Sequence, residues 1–275
     1  MNRLFILASG SEGNCALLQF GDNSIVLDAG LPIKHLQRRL GLLRGPRGKV
    51  RAVLITHGHI DHVKHAAAYS RYFGCPLVMS AEAAKDSMET YLRTAIAVRT
   101  FEPPDQFLWH GLSVQATPVP HSPGSVAYSV RGTKRVCWIS DCGTPTDGTR
   151  KMARESDILV VESNYSTSVL AQCAEYHDAL KKRIAGDFGH LSNEQAAELI
   201  STAVAAGRTK KVVLIHLSEH SNFPELALET ATRAADGKAE AIVARHDGVT
   251  LVDLDKMGEP KESVPYADWA PRGAL

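Results

Sequence analysis

Apolar residues fall along this chain in short runs stopped by small, turn-forming or charged residues, with longer amphipathic stretches between them. The short runs predict strands, and the stretches with apolar positions three and four apart predict helices. Strands are expected over 4–8, 16–20 and 24–27, the last two forming a hairpin across Gly21-Asp22-Asn23. The chain then breaks at Asp28-Ala29-Gly30 into a helix over 33–40. A buried strand at 52–55 leads to a helix over 64–72, followed by a short strand at 77–79 and a helix over 81–88. Residues 107–139 read as β-rich, with runs at 112–117, 126–130 and 135–139. Strands at 158–161 and 211–215 alternate with helices over 176–185, 193–206 and 224–235, and 241–243 with 249–254 closes a last pair of strands.

Four of these strands run directly toward a histidine or an acid: His57, Asp141, Glu162 and His216. Functional groups gathered at strand ends along one sheet edge are how α/β folds build sites, so a layered α/β domain with one site is expected over residues 1–254. From residue 255 onward Pro260, Pro265, Pro271, charges and small residues dominate, which predicts a loosely held tail over 255–275.

Composition sets bounds rather than a function. The 275 residues, 44% hydrophobic and 22% charged, are enough for a substantial core in an ordinary globular protein. Lys+Arg 31 against Asp+Glu 30 leaves no bulk basic field to announce nucleic acid. Lys34, Arg38, Arg39, Arg44, Arg47, Lys49 and Arg51 do cluster, and a solvated helix face and loop explains them better than a phosphate-tracking patch. Met1-Asn2-Arg3 enters strand-like sequence at once, and no apolar run approaches the roughly 18 residues of a membrane span. Five scattered cysteines without a Cys-x-x-Cys pair complete the expectation of a cytoplasmic protein with reduced thiols and no membrane contact.

The chemistry concentrates in Thr56-His57-Gly58-His59-Ile60-Asp61-His62, where His57, His59, Asp61 and His62 place four metal-capable side chains within six residues. Neutral imidazoles and a carboxylate suit zinc first, and manganese or iron as well. One turn can offer two donors to each of two neighbouring ions, so the stretch predicts a site for two divalent cations. A polar turn without a metal would not need this density of donors at the end of a buried strand.

With His121 alone, Asp141 after a strand and His216 after another, the chain resembles the metallo-β-lactamase fold superfamily over nearly everything before the tail. The resemblance implies an α/β fold of four layers, the αββα metallo-β-lactamase sandwich. It implies that His57, His59 and His121 hold one ion, that Asp61, His62 and His216 hold the other, and that Asp141 bridges them. Asp61 counts among the catalytic residues as well. Two such cations, about 3.5–4 Å apart, activate water and hold a phosphoryl oxygen. Ser9-Gly10-Ser11-Glu12-Gly13-Asn14-Cys15 is similar to the opening motif of the YycJ/WalJ group. Glu162-Ser163-Asn164, Gly189-His190-Leu191-Ser192-Asn193 and His216-Leu217-Ser218 look like that group's later motifs. The group is assigned as 5′→3′ exodeoxyribonucleases linked to DNA repair. A metal-dependent phosphodiesterase acting on nucleic acid, with DNA favoured, is therefore implied. The same Glu and His positions resemble tRNase Z and the phosphodiesterase PhnP, whose Glu–His pair lies beside the metals.

His190 also carries an argument of its own. Ser192-Asn193-Glu194-Gln195 has the form of a capping box, so a helix starts just beyond His190. A helix N-terminus favours an anion such as phosphate, which places His190, Ser192 and Asn193 at the substrate. His190 would bind a phosphate oxygen or protonate the leaving alkoxide, with Glu162 orienting it. The competing account is a histidine packed structurally at the helix start. His65, where the family has glycine, is expected to face solvent, and Cys142 to act as a small buried hydrophobe. His220 is expected behind or outside the ligand set, His177 has no site role, and His35, His110 and His246 are expected on the surface. Three further readings stand beside the nuclease: a small cyclic or nucleotide diester, acyl hydrolysis by the same ions, and a non-catalytic metal-stabilised module. The helix start favours phosphate over acyl substrates, and the complete ligand set argues against a silent module. Oligomeric state is not legible.

Overall fold

The computed structural model describes residues 1–42, 48–245, 248–256 and 264–265. The chain opens with β1 (Asn2–Ala8), β2 (Cys15–Phe20), β3 (Asn23–Leu27), α1 (Ile33–Leu42) and β4 (Lys49–Leu54). Next come α2 (Ile60–Val63), α3 (Ala66–Phe73), β5 (Leu77–Ser80) and α4 (Ala81–Ser87), which continues as a π-helical turn, Met88–Leu92. The central part is β6 (Val98–Phe101), β7 (Asp105–Trp109), β8 (Leu112–Pro118), β9 (Val126–Arg131), β10 (Arg135–Ile139) and α5 (Asp147–Glu155). Then follow β11 (Ile158–Glu162), α6 (Thr167–Gln172), α7 (Asp178–Ile184), α8 (Asn193–Ala205), β12 (Lys211–Ile215) and α9 (Pro224–Ala235). The last strands are β13 (Glu240–Val243), β14 (Gly248–Asp253) and β15 (Val264–Pro265).

Among the described residues the strands form two mixed sheets, ordered β15-β14-β1-β2-β3-β4-β5-β6 and β13-β12-β11-β10-β9-β8-β7. Side-chain alternation along each strand divides the apolar residues into three layers. Leu4, Ile6, Leu18 and Leu54 of the first sheet meet Val114, Tyr128, Trp138 and Val160 of the second in a central core. The opposite faces, Phe5, Leu17 and Val53 on one side and Leu159, Val161 and Leu214 on the other, pack under helices. On the first sheet the cover includes Leu36 of α1 and Tyr69 of α3; on the second it includes Met152 of α5, Leu199 of α8 and Ala231 of α9. Strands buried on both faces read as continuous apolar runs, which is why β1, β11 and β12 stand out in the sequence. The result is the expected αββα sandwich.

Several elements differ from expectation. The helix expected over 64–72 begins earlier, as α2 from Ile60, so Asp61 and His62 sit in a first helical turn. The closing strands are not a pair: β13 joins β12 in the second sheet, and β14 returns to β1 in the first. α5, α6 and β6 were not legible, because each buries three side chains or fewer. The expected tail lies outside the described residues apart from Lys256 and its immediate neighbour and β15, which pairs with β14. His246, Arg44 and Arg47 also lie outside the described residues.

Candidate active site

The turn from Thr56 to His62 is fastened from behind by the first sheet. Asn14 N donates to the Asp61 carbonyl at 2.8 Å, Gly30 N to the Asn14 carbonyl at 2.9 Å, and Ala29 N to the His62 carbonyl at 2.7 Å. Gly30 fits only because it has no side chain: a Cβ there would lie 1.7 Å from the Asp61 carbonyl oxygen. Asp28, fully buried, holds the turn by its side chain, accepting from Thr56 N at 2.8 Å and from His62 Nδ1 at 2.8 Å. His62 Nε2 is thereby directed to the other side.

The second sheet brings the remaining groups to the same place. His121 follows β8, Asp141 follows β10, Glu162 ends β11, and His216 follows β12. His121 Nε2 lies 3.1 Å from His59 Nδ1, and with His57 the three form one cluster of converging nitrogens. His62 Nε2 lies 3.3 Å from Asp61 Oδ2, and His216 Nε2 lies 3.7 Å from the same oxygen, forming a second cluster. Asp141 stands between them, with one oxygen 3.2 Å from His62 Nε2 and the other 3.9 Å from His121 Nε2. All seven residues expected as ligands are brought together.

Two atoms at the middle of this arrangement, His57 Nε2 and His216 Nε2, are buried without a hydrogen-bond partner among the described residues. Orphaned buried donors and acceptors are unfavourable in a folded protein, and convergent imidazole and carboxylate atoms are what a divalent cation satisfies. The residues therefore fit two ions. Their charges divide unevenly. Burial, reinforced by His62, holds His57 well below the usual imidazole range, and burial with His121 lowers His59. Burial also pulls His62 down, but Asp28 and then Asp141 outweigh it and hold it well above the usual range. His216 is likewise held high against burial by Asp141 and Asp61. Burial raises both acids, yet His216 and His62 hold Asp141 and Asp61 well below the usual carboxylate range.

Glu162 and His190 lie beside the clusters. Glu162 is fully buried; its Oε1 accepts from His190 Nδ1 at 2.7 Å, and its Oε2 accepts from Cys142 N at 3.1 Å and Leu191 N at 3.3 Å. Burial lowers the His190 ring's pKa, but Glu162, by charge and hydrogen bond, and Asp141 together outweigh it, so the net shift is upward. The His190 ring stacks on His216 with centroids 5.4 Å apart, and Nδ1 lies 3.6 Å from Asp141 Oδ1.

The expected capping box is present: Ser192 Oγ accepts from Gln195 N at 3.2 Å, and Gln195 Oε1 accepts from Ser192 N at 2.9 Å. It removes the anion site expected from it, since Asn193 N is also spent on the Tyr165 carbonyl at 2.8 Å. Ser192 and Asn193 are buried, and the Asn193 amide bonds Asn222 and Ser163. These two side chains hold the helix start, and His190 is the group of this stretch that faces the centre.

Reading residues alone missed a set of supporting groups: Asp28, Asn14 beside His62 Nε2 at 2.9 Å, Asn164 beside His216 Nδ1 at 3.1 Å, and Ser9 Oγ accepting from His216 N at 2.7 Å. Asp28 ending a strand before Ala29-Gly30 was the available signal, since a buried acid at a strand end needs a partner. His65 is half-buried rather than open to solvent, Cys142 is buried, and His220 is exposed and paired with Glu175.

The chain matches the family described as "Beta-lactamase superfamily domain" over residues 23–217. It is 30% identical over 228 residues to a protein of Streptococcus pneumoniae named exodeoxyribonuclease WalJ, covering 81% of this chain and 84% of that one. It is 27% identical over 237 residues to exodeoxyribonuclease YycJ of Bacillus anthracis, covering 85% and 89%. The crystal structure of YhfI from Bacillus subtilis, a metallo-β-lactamase fold protein, superposes with a TM-score of 0.67 at 17% identity, covering 90% of this chain and 99% of that one. Two sheets with their histidine- and acid-bearing loops at one edge, matched along most of the chain by sequence and by fold, identify this chain as a hydrolase belonging to the beta-lactamase superfamily, with the metallo-β-lactamase fold.

Proposed function

We propose that this hydrolase is a dinuclear metal-dependent phosphodiesterase that shortens a nucleic acid strand, DNA in preference, from its 5′ end. The names of the relatives from S. pneumoniae and B. anthracis support the substrate class. The observation that carries the chemistry is the Glu162–His190 pair, set beside Asp141 and His216, with one ring nitrogen of His190 making no hydrogen bond among the described residues. In this reading His57, His59 and His121 would hold one ion and Asp61, His62 and His216 the other, with Asp141 available to either. Zinc suits this donor set best, with manganese and iron the alternatives. When bound, the ions supply Lewis-acid polarisation of a phosphoryl oxygen and lower the pKa of water.

The protein's own contribution is proton delivery and orientation. Glu162 fixes the His190 ring through Nδ1 and favours its protonated form. Nε2 then carries a proton it can give to the departing alkoxide, a transfer that contributes about 10²- to 10⁴-fold in general acid catalysis. The five cysteines are free thiols and buried, which accords with a cytoplasmic setting.

The test is digestion of 5′- and 3′-labelled DNA and RNA strands alongside metal analysis. Loss of label from the 5′ end of DNA, abolished in His59→Ala and Asp141→Ala, is expected, as is a kcat lowered about 10²- to 10⁴-fold with metal retained in His190→Ala. Turnover of a small diester without any strand, or of a lactam or thioester without any diester, would overturn the substrate class.

A further inference from the structure

The loop that delivers His190 also presents groups that cutting one bond does not use. α7 has no buried residue, yet it is fastened down. Lys181 Nζ donates to the Ala171 carbonyl at 2.9 Å, His220 pairs with Glu175, and the Tyr176 hydroxyl lies 3.4 Å from Ser218 Oγ. Its last turn packs so tightly on Gly189 that an added Cβ would lie 2.1 Å from the Ile184 carbonyl oxygen and 2.3 Å from that of Arg183. Asp187 abuts Gly143 in the same way, with 2.1 Å between its carbonyl oxygen and an added Cβ. His190 N donates to the Ile184 carbonyl at 2.9 Å, and the Gly189 carbonyl accepts from His121 Nδ1 at 2.8 Å. Residues 183–190 thus form a stiff loop bonded directly to the candidate centre.

From this loop Phe188 stands out with 71% of its surface exposed. A single exposed apolar side chain needs no explanation in itself. Its surroundings set this one apart: it lies two residues before His190, on backbone with no slack to fold it away. One turn back, Lys182 and Arg183 are exposed and make no ion pair among the described residues. An aromatic face and two exposed cations, on the loop that carries His190 and on the helix end packed against it, match the two repeating features of a single strand, its bases and its phosphates.

We propose that Phe188, Lys182 and Arg183 form a landing for the single-stranded end of the substrate, with Phe188 stacked on a base and the two cations on backbone phosphates. The inference rests on the nucleic acid reading above. Every base has a π face, so such a landing grips a strand without reading its sequence.

Steady-state cleavage of a labelled single-stranded oligonucleotide by the metal-loaded full chain tests it, with wild type, Phe188→Ala, Phe188→Leu, Phe188→Trp, the double variant Lys182→Gln/Arg183→Gln, and Lys151→Gln as a surface control on α5. Phe188→Ala should raise KM roughly 5- to 150-fold, the range of one lost stacked base. Phe188→Leu should do the same, because it keeps apolar bulk without the π face, and Phe188→Trp should restore binding. A merely structural Phe188 would tolerate leucine. The double variant should flatten the slope of log KM against log salt by about 1.4, two single-strand phosphate contacts at about 0.7 each. Wild-type cleavage with KM and salt slope unchanged in these variants overturns the landing and leaves the nuclease reading standing. Hydrolysis of small diesters with no oligonucleotide cut by the wild type removes the nucleic acid reading, and the landing with it.

Discussion

Asp28, Asp141 and His216 all hold left-handed backbone conformations, with φ of 60°, 50° and 56°. Such conformations cost of order 1–3 kcal/mol each and persist where the surroundings over-determine them, which is common at functional sites. Asp28 is the clearest case, since its carboxylate aligns both Thr56 and His62. Asp28→Asn keeps a side chain that tolerates this backbone but removes the charge behind His62. We expect it to weaken the ion proposed at Asp61, His62 and His216 about 10- to 100-fold, as loss of an outer hydrogen-bond partner does, read by competition with a chromophoric chelator. Wild-type affinity would take Asp28 out of that role.

The uneven titration of the histidines gives a second residue-scale expectation. His62 and His216 are held above the usual range, so in the metal-free protein their protonated forms are favoured, and a protonated ring must lose a proton to ligate. His57 and His59 are held below it and are already neutral. The sign follows: stability that the charged pairs give the metal-free fold is full below the ordinary imidazole pKa and is lost as pH rises through the raised values. Metal binding runs the other way. On acidification, the ion at Asp61, His62 and His216 should leave before the ion at His57, His59 and His121. Calorimetric titration in buffers of different ionisation enthalpy should show proton release mainly with that second ion. Simultaneous emptying of both positions, or no released protons, would contradict this assignment.

Among the elements, the loop between β1 and β2, the end of β3 and the start of α2 behave as one unit joined at Gly30. Gly30→Ala would force its Cβ into the Asp61 carbonyl, so the three segments must part. A loss of about 1–3 kcal/mol, as for other overpacked sites, is expected by urea unfolding, together with weaker metal binding. This unit also shows where the sequence was readable. The donors stood out because His57 to His62 are contiguous and lie past an apolar strand, and the sheets stood out because their strands are buried on both faces. Ser9, Asn14 and Asp28 did not stand out as supports, because their partners are 34 to 207 residues away along the chain. α5 stayed hidden for a different reason: Thr149, Met152 and Ala153 are its only buried residues, too few to set a helical period. At α8 the capping box was legible, but not the Tyr165 carbonyl that takes up the amide of Asn193.

At the scale of the whole molecule the centre lies on the seam between the two sheets. The first sheet supplies His57, His59, Asp61 and His62, and the second supplies His121, Asp141, Glu162 and His216. Relative placement of the sheets therefore sets the geometry of the site. Tyr128 of β9 crosses that seam, donating its hydroxyl to the Ile55 carbonyl at 2.9 Å, two residues before His57. Tyr128→Phe leaves that buried carbonyl unpaired and should cost about 1–3 kcal/mol in urea unfolding. An unchanged midpoint would mean the seam is held by apolar packing alone.

The return of β14 to β1 bears on how the chain is made. β1 is synthesised first and gains β2 almost immediately, but its other neighbour does not exist until residues 248–253 have left the ribosome. Every histidine and acid of the candidate centre is translated before then, so a nascent chain carries all of them while one edge of β1 is still bare. The hazard at that stage is adhesion of that edge to a neighbouring chain, a danger set by the pace of translation and by chaperone cover rather than by the supply of metal.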